Sequence, residues 1–126
     1  MKVDLEERLI AFSVSIIQLS EKLPNSRAGN HLANQLVRSG TSPALNYGEA
    51  QGAESRKDFI HKLKIVLKEL RETQIGLKII SRSQIYQPDE QLKSLITESD
   101  ELISIFYKSI ETAKENLSRK RITNHE

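Results

Sequence analysis

Glu69 and Glu72 stand three residues apart, close enough to share one helix face, and Asn46 and Glu49 form a second polar pair at the same spacing upstream. With Arg38 and Arg71 as cationic neighbours, these carboxylates could be read as a general acid and base. That chemistry needs two carboxyls placed across a cleft from a substrate, and nothing in the sequence defines a cleft. We read Arg38, Asn46, Glu49, Glu69 and Glu72 instead as a polar network between helices that fixes their register. His31, His61 and His125 lie in three separate segments with no ligand spacing, and there is no cysteine, so no metal site is expected. The chain has no glycine-rich phosphate loop and no nucleophile elbow. Neither a catalytic residue, a cofactor nor a small-molecule substrate is expected, and the chain reads as a non-enzyme.

A different chemistry is written between Lys57 and Arg82. Lys57, His61, Lys64, Lys68, Arg71, Ile75, Lys78 and Arg82 follow one another at steps of four and three, a basic row with Ile75 as its one interruption. Such a row could hold the phosphates of a nucleic-acid backbone as a line of point donors. It could equally be a solvated face, or be neutralised by acids of the last helix such as Glu98 and Glu101. No ladder of aromatic residues accompanies it, so stacking on single-strand bases is not suggested.

The element that positions this row is one long helix, expected over residues 55–82. Phe59, Leu63, Val66, Leu70, Thr73, Leu77 and Ile80 repeat at the same pitch two residues later than the basic row. Two residues are about 200° of helical rotation, so the apolar seam lies opposite the cations. Ser55 with Asp58 three residues on makes an N-terminal cap. An earlier helix is expected over 4–22, its seam Leu5, Leu9, Phe12, Ile16, Leu19 and Leu23, ended by Pro24. A second should span 27–51 with a kink near 40–43, where Pro43 removes a backbone donor. Leu36, Gly40, Pro43 or Ala44, Tyr47 and Ala50 give that helix a small-residue face, read as close packing against the third helix. The last helix is expected over 88–117, opened by Pro88-Asp89-Glu90, with residues 118–126 fraying.

Four amphipathic helices joined by short turns imply an all-α, up-down-up-down four-helix bundle in a single domain of 126 residues. Ile60, Ile65, Leu67, Ile75 and Ile79 lie off the main seam of the third helix, more apolar surface than one core needs. That surplus predicts a symmetric homo-oligomer.

Net charge is only +2, but it is unevenly spread. Residues 55–82 carry eight basic and three acidic side chains, whereas residues 83–117 carry three and seven. This is a protein with a basic helix, not a basic protein. The N-terminal stretch is acidic where a signal peptide would be basic. The apolar run after it is broken by Ser13, Ser15 and Gln18, so neither export nor membrane spanning is expected. Absence of cysteine fits a cytoplasmic protein.

Arg38-Ser39-Gly40-Thr41-Ser42, then Asn46-Tyr47-x-Glu49-Ala50, Ser55-x-Lys57-Asp58-Phe59 and Lys68-Glu69-x-Arg71-Glu72-Thr73 form an ordered set. It resembles the four-helix-bundle proteins of the 23S rRNA intervening-sequence family, over about residues 8–115 and most distinctively over 35–80. Pro43 departs from the pattern, where the family more often has an aliphatic residue, and this bears on the continuity of the second helix. The resemblance implies a bundle assembling as a homopentamer with no established enzymatic activity. A relative in fold is the accessory protein of diversity-generating retroelements, a basic pentamer that binds reverse transcriptase and nucleic acid. By that analogy the expected function is binding of RNA or a ribonucleoprotein through the basic row. The alternative is a protein–protein scaffold whose row meets an acidic partner.

Overall fold

The computed structural model describes the backbone of residues 4–125 and side chains as far as residue 119. It contains four helices: α1 (Leu5–Lys22), α2 (Arg27–Gln51), α3 (Arg56–Ser83) and α4 (Glu90–His125). Each start carries a capping side chain. Asp4 accepts from the Glu7 amide, Ser26 from Gly29, Ser55 from Asp58 and Asp89 from Leu92, all at 2.9–3.1 Å. The turn after α3 places Gln84 in the left-handed region, φ 64°, which closes the helix without a glycine.

Successive helices pack against each other as antiparallel neighbours, and α1 closes the ring against α4 through the thinnest contact. The α1–α3 and α2–α4 pairs face each other diagonally, with the core between them. Leu9, Phe12, Ile16 and Leu19 of α1 meet Leu36 and Ala50 of α2 there. Leu63, Val66, Leu70, Leu77 and Ile80 come from α3, and Leu92, Leu102, Phe106 and Ile110 from α4. Tyr47 completes it edge-on to Phe106, ring centroids 5.5 Å apart. Polar groups inside are matched: the Thr73 and Ser39 hydroxyls lie 2.9 Å apart between α3 and α2. Ser99, fully buried in the α4 seam, receives a hydrogen bond from Gln74 of α3. Among the described residues no buried side-chain nitrogen or oxygen lacks a partner.

Three details differ from the sequence expectation, while α2 spans Arg27–Gln51 as expected, continuous through Pro43, which is buried inside it. Hydroxyls support the backbone there: Thr41 donates to the Val37 carbonyl, and Ser13 of α1 lies 3.1 Å from the carbonyl of Gly40. The close approach at Gly40 is to α1, not to α3, since a Cβ on Gly40 would meet the side chain of Ile16. α4 begins at Glu90 with Asp89 as its cap, and it continues to His125, well past the expected end at 117. No glycine or proline follows Pro88 to stop it. Finally, Ile60 and Leu67 are buried rather than surplus, at 7% and 8% exposure. A helix at a bundle corner serves two neighbours, so its buried arc is wider than one seam. Ile75 and Ile79 remain outside at 56% and 47%.

Candidate nucleic-acid interface

The basic row stands on the outer face of α3. Lys57, His61, Lys64, Lys68, Arg71 and Arg82 are exposed and Lys78 is half-buried, while the seam behind them is buried from Ile60 to Ile80. One helix thus fixes the row's axial spacing at about 4.5–6 Å from position to position, because each step is three or four residues at 1.5 Å, with Ile75 leaving about 10.5 Å between Arg71 and Lys78. None of the row's lysines and arginines makes an ion pair among the described residues.

The acids that could have neutralised the row are committed elsewhere. Glu98 and Glu101 lie on the α1 side of α4, where Arg8 holds both. Its guanidinium reaches Glu98 through Nε at 2.7 Å and Nη2 at 2.6 Å, and Glu101 through Nη2 at 2.8 Å. The Arg8 hydrogen bonds hold the Glu98 carboxyl below the ordinary glutamate range. Lys22 and Asp89 form a second tie across the same seam, 3.7 Å apart. Asp89 is also lowered, chiefly by the Tyr86 hydroxyl that donates to it.

The expected polar network resolves into three parts. Arg38 of α2 bridges Glu69, at 3.5 Å, and Glu72 of α3. Glu49 pairs with Lys62 at 3.2 Å. Asn46 turns inward on its own helix, donating to the Ser42 carbonyl and hydroxyl at 3.0 and 2.9 Å. Arg71, a candidate partner of the same carboxylates, stays on the outer row. Burial raises Glu69 above the ordinary glutamate range, and the Glu72 charge adds to this. Glu69 and Glu72 lie along the α2–α3 contact with Arg38 between them. His31 and His61 are exposed on different helices, His125 lies beyond the described side chains, and no group of three potential metal ligands occurs among the described residues.

Sequence reasoning missed two features. The Arg8–Glu98 tie joins residues 90 apart, which no local period can signal. An outward stripe on α1 and α2 also went unseen: Ile10, Val14, Ile17, Val37 and Leu45 are 37–70% exposed. The signal was present, since Ile10, Val14 and Ile17 follow helical steps of four and three beside the core seam.

The architecture defines an all-α four-helix bundle carrying a row of unpaired cations on its third helix. Its sequence places it more narrowly. The model of the 23S rRNA-intervening sequence protein family matches residues 1–108, so the chain belongs to that family. The chain is similar to a crystal structure of a protein with unknown function from the S23 ribosomal protein family of Bacteroides thetaiotaomicron VPI-5482. The two are 34% identical with a TM-score of 0.78, over 85% of this chain and 98% of that one. Comparison with curated proteins finds no match. No helix among the described residues is long and apolar enough to cross a membrane.

Proposed function

We propose that this protein is a non-enzymatic, self-associating helical bundle of the cytoplasm that binds RNA or a ribonucleoprotein through the outer face of α3. The observation that carries the reading is the unpaired state of the row. Arg8, Lys22, Arg38 and Lys62, the cations facing other helices, all have carboxylate partners within 4 Å, whereas the lysines and arginines of the row have none among the described residues. A cation needed for the fold would be paired across a seam, so the row is free to hold an external anion. A line of point charges on a rigid helix suits a phosphate backbone, and it does so without regard to sequence. Assembly into a homo-oligomer, five protomers by the family resemblance, would repeat the row and let weak contacts act together.

The test is titration of a mixed-sequence RNA duplex and of poly(U) with the purified protein at several salt concentrations. Binding whose affinity falls steeply with salt is expected, since each neutralised phosphate releases counterions. No binding to either RNA at low salt would overturn the reading. The alternative, an acidic protein partner, draws on Ile75 and Ile79, which place apolar surface within the C-terminal half of the row.

A further inference from the structure

Two outward faces of this chain share one spacing with opposite charge. On α1, Glu7, Ile10, Val14, Ile17 and Glu21 succeed one another at steps of three, four, three and four. On α3, Lys68, Arg71, Ile75, Lys78 and Arg82 do the same. All ten point outward; nine are exposed and Lys78 is half-buried. Each face is therefore a helical seam about 21 Å long with charges at its two ends. On α1 the ends are glutamates and the middle is Ile10, Val14 and Ile17. On α3 the ends are Lys68 and Arg82, and the middle is Ile75 flanked by the aliphatic stems of Arg71 and Lys78, with Ile79 alongside.

We infer that these faces bind each other between copies, the α1 face of one protomer seated on the C-terminal half of the α3 face of the next. A second copy is the occupant because the two faces match in pitch and length and place Val14 and Ile75 at their centres, while their charges are opposite, two glutamates against four cations. Local helix chemistry does not account for the acid at Glu21, which sits in the last turn of α1, where the dipole disfavours a carboxylate. Glu7 and Glu21 make no ion pair within the chain among the described residues, nor do Lys68 and Arg82. Alternating steps of three and four are the spacing by which two helices interlock along a shared seam. The pattern reads the same in both directions up to that alternation, so end charges pair whether the helices run parallel or antiparallel. α1 and α3 occupy diagonal corners of the bundle. One protomer can thus use both faces at once, and the contact is head-to-tail, which builds rings when the rotation closes.

This contact rests on the self-association proposed above and not on RNA binding. It also divides the basic row, leaving Lys57, His61 and Lys64 for phosphate and giving Lys68–Arg82 to the neighbouring copy.

The test uses Val14→Asp and Ile75→Asp, each at a side chain about half exposed in the protomer, 48% and 56%. Light scattering should find wild type assembled and each variant alone a monomer of 14.3 kDa, with unchanged helical circular dichroism. Mixed together, the two should form a 1:1 complex of twice that mass, because each retains one good face. A second arm reverses the end charges: Glu7→Lys with Glu21→Lys should weaken assembly at least tenfold, and adding Lys68→Glu with Arg82→Glu in the same chain should restore it. Wild type that is monomeric at 100 µM would overturn self-association and the contact with it. Assembled wild type with either Asp variant still assembled, or a mixture that stays monomeric, would overturn this contact while leaving self-association standing.

Discussion

A Cβ built on Gly40 would stand 2.6 Å from Cγ2 of Ile16, closer than real side chains tolerate, so α2 approaches α1 through the absence of a side chain. Ile16 is fully buried and β-branched, hence unable to swing aside. Gly40→Ala gains about 1 kcal/mol of helix propensity but forces overpacking that costs about 1–3 kcal/mol. The net expectation is destabilisation, larger for Gly40→Leu. A double-mutant cycle with Ile16→Ala in urea checks it: Gly40→Ala should cost less, or turn favourable, once Ile16 is shortened. Equal cost in both backgrounds would move the clash elsewhere.

Leu63 and Leu70 lie about two turns apart on the inner face of α3, 1% and 0% exposed. Truncating either to Ala removes buried hydrocarbon and leaves a cavity between rigid helices, a loss of about 2–5 kcal/mol. Thermal melting of each variant is the measurement, and an unchanged midpoint would contradict the assigned inner face.

The Arg8–Glu98 tie makes stability depend on acid. Because Arg8 lowers the folded carboxyl below its unfolded value, the contribution is complete above the unfolded glutamate pKa and is lost as pH falls through the folded one. Glu98→Gln should cost roughly 1.5 kcal/mol at neutral pH, the low end for a hydrogen bond between charged groups at a half-exposed seam. Urea midpoints of variant and wild type should converge in acid. A constant gap across pH would show that the loss is steric.

Glu69 carries the opposite sign. Burial raises its folded pKa, so the ionised form is penalised, and this group's contribution declines as pH rises from the unfolded value through the folded one. Glu69→Gln keeps an acceptor for Arg38 and sheds the buried charge. It should equal or exceed wild type in stability at neutral pH, with the difference shrinking in acid. A variant clearly weaker than wild type at neutral pH would mean that the 3.5 Å Arg38 contact outweighs desolvation.

What the sequence made legible was local. The cap at Ser55 announces itself by residue type, and the α3 seam by period. The row at Lys57–Arg82 follows from that seam, because fixing one face of a helix fixes the other. Tertiary partners were not legible. Gly40 advertises a close approach but not to which helix, and Arg8 gives no hint of acids 90 residues away. Ile60 and Leu67 looked surplus because one period describes one neighbour, whereas α3 has two. The end of α4 was misplaced because fading apolar periodicity was read as a stop, when only a glycine, a proline or a cap stops a helix.

The row itself gives the most direct functional prediction. Lys57→Glu with Lys64→Glu changes two exposed cations that pair with nothing among the described residues, on a face about 200° from the buried seam. Helicity, melting and assembly should therefore persist. RNA affinity should fall by a similar factor for every sequence, because phosphate contacts position a ligand without reading bases. The salt dependence should shallow by about two counterions' worth, one for each lost cation. If the double charge reversal binds RNA as tightly as wild type at low salt, phosphate is not held by this face. If instead it unfolds, the two lysines serve the bundle and the row is part of its scaffold.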